Sequence, residues 1–79
     1  MIKEKAINII SDEMLNSFNW FNEHKIDPNE VGYYESDVSY VCSTDEKANL
    51  ISKKEFQSES KALNNIIKRL RAVNKFNKL

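Results

Sequence analysis

Apolar residues in the N-terminal part of the chain recur at helical spacing. They stand three or four positions apart at Ile7, Ile10, Met14, Phe18 and Phe21. This spacing places them along one side of a helix. We therefore predict a helix over residues 3–25. The alternative is a helix that begins after a cap at Ser11 and follows a short strand over residues 6–10.

The middle of the chain changes to a strand-like pattern. From Tyr33 to Cys42 aromatic and β-branched residues dominate, and they alternate with small polar ones. We predict a hairpin whose second strand covers residues 49–52. Before it, Asp27-Pro28-Asn29-Glu30 combines a capping residue with proline at a first helical position, which predicts one turn of helix. A helix capped at Ser43 is the alternative to the hairpin, and it makes the whole chain α-helical.

The C-terminal segment has the clearest helical pattern. Ser52-Lys53-Lys54-Glu55 matches a capping box, and we predict a helix over residues 53–76. Heptad core positions after the cap are apolar at Phe56, Leu63, Ile66, Leu70 and Val73. A helix of that length spans ~36 Å, whereas a compact domain of this size is roughly 30 Å across. We therefore expect the helix either to protrude or to bury its end against another surface, such as a second copy of the chain, with Ile66, Val73 and Phe76 at the contact.

Together these elements predict a single small α+β domain over residues 1–79. It has an N-terminal helix, a short β-hairpin-like middle and a long, basic, amphipathic C-terminal helix. The apolar fraction of 41% indicates a globular chain, and one glycine excludes a Gly-rich phosphate-binding loop. The longest apolar run near the N-terminus is two residues, so we expect neither a signal peptide nor a membrane span.

Residue usage also bears on the compartment and the source of the chain. The single cysteine, Cys42, cannot form an internal disulfide, which favours a reducing, cytoplasmic location. In a strand pattern such a cysteine is typically a small buried apolar residue. Ten lysines against two arginines, with ten asparagines, indicate an AT-rich coding sequence and hence a bacterial or mobile-element origin.

The net charge of zero conceals a strong segregation. Residues 1–46 carry three lysines and ten acids, whereas residues 47–79 carry nine basic residues and two acids. On the predicted C-terminal helix, lysines recur every seven residues and form a ridge. The simplest interpretation is the solvated back of an amphipathic helix. The functional alternative is a nucleic-acid-binding regulator that contacts phosphates through Lys54, Lys61, Lys68, Arg69, Arg71 and Lys75.

The acidic half contains two adjacent tyrosines among carboxylates. Aromatic anchors with charged neighbours are typical of protein–protein hot spots. An acidic strip can also imitate nucleic acid and block a basic site. We therefore favour a non-catalytic binding protein, such as an inhibitor, antitoxin or immunity-type factor. The simpler interpretation of the segment is that one tyrosine lies in the core and the acids only keep the protein soluble. The predicted partner-binding patch is Tyr33, Tyr34, Glu35, Asp37, Asp27 and Glu30.

The tyrosine pair after Asp27-Pro28-Asn29-Glu30, followed later by Ile66–Val73, resembles in outline the immunity proteins of nuclease colicins. Those proteins are small and acidic and carry a Tyr-Tyr pair in a short helix. The resemblance implies that Tyr33, Tyr34 and the nearby acids contact a toxin. It covers only part of the chain, which has no obvious second long helix and is not acidic overall.

Nothing in the sequence indicates catalysis, a metal site or a cofactor. His24 is the only histidine, and near the end of the predicted first helix its positive form interacts well with the helix dipole. Glu23, His24 and Asp27 offer three potential ligands, but there is no second histidine and no Cys-x-x-Cys motif. The only tryptophan, Trp20, lies off the apolar stripe and either packs in a second layer or marks an exposed binding spot.

Overall fold

The computed structural model describes residues 1–22 and 25–77. For residues 76 and 77 it describes only the backbone. Within the described ranges, two helices enclose four strands along the sequence. The elements are α1 Lys3–Asp12, β1 Phe18–Trp20, β2 Val31–Glu35, β3 Ser39–Thr44, β4 Leu50–Phe56 and α2 Glu59–Asn77. The predicted α+β class is confirmed, and the all-α alternative is not supported.

The four strands form one mixed sheet in the order β1-β2-β3-β4. The first pair is parallel, and β2, β3 and β4 run antiparallel to one another. Helix α2 packs against β2, β3 and β4, and α1 packs against α2. The helices therefore cover one face of the sheet, and no helix among the described residues covers the other.

The hydrophobic core lies between α2 and the helix-facing side of the two central strands. Val31 and Tyr33 of β2 alternate inward together with Val41 of β3, which lies opposite Tyr33. Helix α2 contributes its fully buried residues Ala62, Leu63, Ile66 and Leu70. Alternate residues of the strands and residues three or four apart in α2 thus pack together in one apolar layer.

Helix α1 ends much earlier than the helix predicted over residues 3–25. Its end is a Schellman motif, in which Met14 N–H bonds to the Ser11 carbonyl and Leu15 N–H bonds to the Ile10 carbonyl. Met14 takes the left-handed conformation, with φ 51°, that glycine usually occupies there. The predicted apolar stripe is consequently split, and Ile7 and Met14 are exposed. The alternative start near residue 12 is also wrong, because the helix ends at that point.

The segment from Tyr33 to Cys42 is two strands rather than one. A tight turn at residues 36–38 joins β2 to β3, with Ser36 N–H bonded to the Val38 carbonyl. The strand predicted at residues 49–52 exists, and it continues to Phe56 as β4. The helical turn predicted at residues 27–30 does not form; Asn29 lies there in the left-handed region with φ 56°.

The turn between β3 and β4 is organised by Asp45. Its Oδ1 accepts the N–H groups of Lys47 and Asn49, both at 2.9 Å. These hydrogen bonds lower the pKa of the Asp45 carboxyl, and the bond from the Asn49 N–H has the largest effect. Ala48 completes the turn in the left-handed region with φ 63°. An L side chain is disfavoured in this conformation, so the turn stores local strain.

Helix α2 begins after the predicted capping box, because residues 50–56 are a strand. Its cap is Ser58, whose Oγ accepts the Lys61 N–H at 3.1 Å. The helix has 19 residues and is about 28 Å long, shorter than the ~36 Å expected, and it packs against β2, β3, β4 and α1. Ile66 is buried in the chain's own core and Val73 is half-buried, while the Phe76 side chain lies outside the described part.

Candidate functional site

The sheet face opposite the helices is half covered by the segment that follows β1. The Phe21 ring lies directly over Gly32, where an added Cβ would come within 2.0 Å of its Cζ atom. Farther along, the Thr44 hydroxyl donates to the Asp27 carbonyl at 2.7 Å and accepts the Glu30 N–H at 2.8 Å. Cys42 is completely buried on this face. This half of the face therefore belongs to the folded interior.

The other half of the face carries two tyrosines and a lysine. Tyr34 of β2 and Tyr40 of β3 are direct cross-strand partners, and their ring centroids are 5.0 Å apart with planes 31° from parallel. From the opposite side, Lys53 of β4 places its Nζ 4.3 Å from the centroid of the Tyr40 ring. We call these three residues the tyrosine ladder. Both tyrosines remain partly accessible to solvent.

The Tyr40 side chain of the tyrosine ladder presents a neutral hydroxyl group. Burial raises the pKa of Tyr40, and the neighbouring Tyr34 raises it further. The phenol is therefore protonated near neutral pH and can both donate and accept a hydrogen bond. Apart from Glu35, which is on the helix-facing side, residues 25–46 contain five acids and only one lysine. Aromatic groups with hydroxyls are thus combined with a negatively charged border.

The predicted acidic patch is not one surface. The Tyr33 side chain lies inside the core with 1% of its surface exposed, and its hydroxyl bonds to Ser39 Oγ at 3.2 Å. It is therefore not accessible to a partner, and only Tyr34 of the pair lies on the open face. Glu35 lies on the helix-facing side with Tyr33, and Asp37 is in the exposed β2–β3 turn.

The remaining two acids of the predicted patch lie at the other end of β2. Glu30 precedes the strand, and its Oε1 accepts a hydrogen bond from the Asn19 side chain at 2.8 Å. Asp27 is exposed, and its carbonyl anchors Thr44. Glu35 stands five positions after Glu30, at the far end of β2, which is roughly 16 Å along a strand. The acids therefore border the face at both ends and do not form one cluster.

Sequence reasoning missed Tyr40 and Lys53. The signal that identifies them is the strand register, because Tyr40 pairs with Tyr34 only once the turn at residues 36–38 is placed. Because Glu55 lies opposite Tyr40, strand alternation then places Lys53 on the same face beside the Tyr40 ring, next to a bulge in β4. Ser52 forms this bulge in the left-handed region with φ 53°. Neither the turn nor the bulge carries the Gly-containing motif that identifies such features in a sequence.

The predicted basic ridge is shorter than its heptad spacing suggests. Lys54 lies on β4, where its Nζ is 5.4 Å from the Phe56 ring centroid, and so it is not part of the helix. Lys61, Lys68 and Lys75 are exposed on the solvent side of α2. The heptad pattern on the helix is therefore three lysines long.

Both arginines of the predicted nucleic-acid site make intramolecular contacts. Arg69 donates to Ser43 Oγ at 3.3 Å and to the Ser52 carbonyl at 2.9 Å, which ties α2 to the bulged edge of the sheet. Arg71 makes a two-pronged ion pair with Glu13 at 2.9 and 2.5 Å, which joins α2 to the end of α1. These are the two side chains best suited to bidentate phosphate or base contacts.

Comparisons with known proteins add no relative. No protein family, curated sequence or solved structure significantly matches this chain. The outline resemblance to colicin immunity proteins is not supported by the fold, because those proteins carry the tyrosine pair in a short helix. Here Tyr33 and Tyr34 lie on strand β2, with one ring in the core.

The remaining features considered in the sequence are the cysteine, the potential metal ligands and the possibility of a membrane-spanning helix. Burial raises the pKa of the Cys42 thiol, which is completely buried and so poorly suited to nucleophilic attack. Glu23 and His24 lie outside the described residues. Within the described ranges, no group of three or more His, Cys, Asp or Glu side chains is arranged to hold a metal ion. None of the helices in those ranges combines the length and the apolar character needed to cross a membrane.

Proposed function

We propose that this chain is a non-catalytic binding domain that engages the basic surface of a partner protein through the open half of its sheet. The observation that carries the proposal is the tyrosine ladder of Tyr34, Tyr40 and Lys53 on a face without a helical layer. Aromatic side chains with polar tips are the residues most often found at the energetic centre of protein interfaces.

The arrangement of the rings favours a protein partner over a nucleobase. Base stacking needs a free ring face. Tyr40 has Tyr34 against one side and the Lys53 ammonium against the other. On Tyr40 only the hydroxyl and the ring edge remain for contact, and these groups suit a surface of mixed peptide and side-chain polarity.

The acids that border the open face indicate a positively charged partner surface. Apart from Glu35, five acids against one lysine in residues 25–46 attract a basic surface and repel an acidic one. Blocking a basic site on an enzyme or toxin is a task for such a surface, so we assign an inhibitor, antitoxin or immunity-type role. We also propose a cytoplasmic setting, which the single buried cysteine supports.

A nucleic-acid-binding regulator is the second candidate. The observation in its favour is the row of Lys61, Lys68 and Lys75 on the solvent side of α2. Against it, Arg69 and Arg71 are engaged within the molecule, and Lys54 lies on a different element. The remaining lysines supply phosphate contact without a means of reading bases.

Quantitative affinity capture with three baits tests the first candidate. The baits are wild type, Tyr34→Ser with Tyr40→Ser, and a control with Lys61→Ser, Lys68→Ser and Lys75→Ser. Circular dichroism confirms that each variant is folded, which is expected because all five side chains are partly or fully exposed. We expect a protein that is captured by wild type and the lysine control, lost with the tyrosine variant, and bound again when purified components are mixed.

The opposite pattern supports the second candidate. If every protein captured by wild type is retained on the tyrosine variant, the open face is not the binding surface. The nucleic-acid hypothesis further predicts retention of random-sequence RNA or DNA that weakens steeply between about 50 and about 200 mM salt. No retention at the lower salt concentration removes it.

A further inference from the structure

Strand β4 forms a long edge of the sheet. It is the last strand in the order β1-β2-β3-β4, and within the described ranges no other strand pairs with its outer side. It contains seven residues, whereas β1 at the opposite edge contains three. Edge strands carry a row of backbone N–H and C=O groups that can pair with another chain, and shortness is one protection against such pairing. The β4 edge lacks that protection.

The turn before β4 shows which of its backbone groups point outward. The Asp45 N–H bonds to the Asn49 carbonyl at 3.0 Å, so residue 49 directs its backbone groups toward β3. Successive residues of an antiparallel pair alternate between this direction and the outward one. Beyond the bulge, Lys54 lies opposite Val41, which is an even number of residues from Asp45, so Lys54 again faces β3. The outward residues are consequently Leu50, Lys53 and Glu55.

The outward backbone groups of these three residues are open to a partner. In the described part of the chain, none of them has a backbone hydrogen-bond partner. At the bulge, by contrast, the Ser52 carbonyl accepts a hydrogen bond from the Arg69 guanidinium at 2.9 Å. The edge is therefore tied to α2 at this point and offers N–H and C=O groups on both sides of it. An extended peptide presents the complementary groups at the same spacing.

The side chains of this edge indicate an acidic partner strand. Residues 47–56 contain three lysines and one acid. Lys53 lies on the open face beside Tyr40, and Lys54 lies on the helix-facing side. Both faces of the edge therefore carry a cation, and opposite charges across a strand pair stabilise it whereas like charges destabilise it. A second copy of β4 would add two more lysines, whereas an acidic segment neutralises those present.

Two apolar side chains adjoin this cationic part of the edge. Leu50 and Ile51 stand at the start of β4, point to opposite faces of the strand, and are each 44% exposed. Aliphatic or β-branched residues of an added strand would cover them. The segment that fits the edge therefore combines acidic residues with neighbouring apolar ones.

We propose that the β4 edge binds an extended acidic segment of another protein, which adds a fifth strand to the four-stranded sheet. Main-chain hydrogen bonds to the outward groups supply the affinity, and carboxylates next to Lys53 and Lys54 supply the selectivity. The site needs neither Tyr34 nor Tyr40, so it does not rest on the function proposed above.

A labelled hexapeptide tests the proposal directly. The probe is fluorescein-Thr-Val-Glu-Glu-Val-Thr-amide, whose side-chain order is the same in both directions, so that it can add parallel or antiparallel to β4. Its fluorescence anisotropy is measured during titration with the protein. We expect saturable binding, at least about tenfold tighter than that of the peptide with two lysines in place of the glutamates. The glutamate peptide N-methylated at every residue keeps its side chains but loses its main-chain donors, and it should not bind.

Variants of the protein separate backbone pairing from charge. Glu55→Pro removes an outward N–H, which an edge strand tolerates because that group makes no bond to β3, and should weaken binding at least about tenfold. Glu55→Gln is the matched control, because it keeps the N–H and removes the negative charge, so binding should be equal or tighter. Lys54→Glu should weaken binding by at least about fivefold. Tyr34→Ser with Tyr40→Ser should bind the peptide as wild type does, which keeps this test separate from that of the tyrosine ladder.

Amide hydrogen exchange locates the bound peptide. Saturation with the glutamate peptide should slow exchange at Leu50, Lys53 and Glu55 more than at Lys54, whose N–H faces β3. Absence of binding, equal binding of the lysine peptide, or unchanged exchange at the three outward amides overturns the proposal. Binding of oligothymidylate in place of the peptide also overturns it and assigns the lysines to nucleic acid. If Glu55→Pro does not fold, the N-methylated peptide decides, since its equal binding would exclude main-chain pairing.

Discussion

Replacement of Gly32 by alanine should destabilise the protein through one specific neighbour. The added Cβ would come within 2.0 Å of Phe21 Cζ, so the ring must leave the sheet. Phe21 is only 9% exposed, and burial of a phenylalanine side chain contributes about 1.5–3 kcal/mol. We therefore expect Gly32→Ala to reduce the free energy of unfolding by about 2 kcal/mol.

A double-mutant cycle isolates this contact. In a Phe21→Ala background no ring is displaced, and alanine in a strand interior is better than glycine by roughly 0.5–1 kcal/mol. Gly32→Ala should then be neutral or slightly stabilising, which gives a coupling energy of about 2–3 kcal/mol. Urea denaturation followed by Trp20 fluorescence and by circular dichroism measures all four proteins. An equal cost of Gly32→Ala in both backgrounds would refute the reasoning.

Three further predictions concern the turn, the helix pair and the core. Ala48→Gly relieves the left-handed residue in the β3–β4 turn and should raise the free energy of unfolding by about 1 kcal/mol in urea denaturation; a decrease would contradict the strain. Arg71→Ala removes an exposed ion pair with Glu13 and should lower the Tm only slightly, by an amount that disappears at about 1 M salt. Because burial raises the pKa of Tyr33, the folded state keeps this proton more tightly than the unfolded state. The contribution of Tyr33 to stability should therefore be level below a pH of about 10 and be lost above it. Cys42 and Tyr40, whose pKa values are also raised, add to the alkaline fall, and Tyr33→Phe should make that fall smaller; an unchanged slope would show that Tyr33 does not contribute.

The α+β class was predictable because it rests on two strong periodicities. Leu63, Ile66 and Leu70 have helical spacing, and all are buried as predicted. The boundaries were not predictable, since their stop signals are unusual. Met14 ends α1 in a conformation that normally indicates glycine, and the chain has only one glycine. Ser58, rather than the better-looking capping box at Ser52, begins α2.

The site was predictable in part. Tyr34 was included in the predicted patch because aromatic residues among acids indicate an interface, and it does lie on the open face. Which tyrosine of the pair turns inward depends on strand register, and a shift of one residue would exchange Tyr33 and Tyr34 between the two faces. Lys54, in contrast, was assigned to the basic ridge of the helix although it lies on β4. Its heptad spacing to Lys61 is coincidental, because a strand end separates the two residues.

The dissociation constant of the reconstituted complex decides whether the tyrosine ladder is the binding surface. Isothermal titration calorimetry with the purified partner compares wild type with Tyr34→Ser and with the control Lys68→Ser. We predict that Tyr34→Ser raises the Kd by at least about tenfold, as expected for an aromatic hot spot, and that Lys68→Ser leaves it within about twofold. A Kd unchanged by Tyr34→Ser and raised by Lys68→Ser would contradict the proposed function and would assign binding to the exposed face of α2.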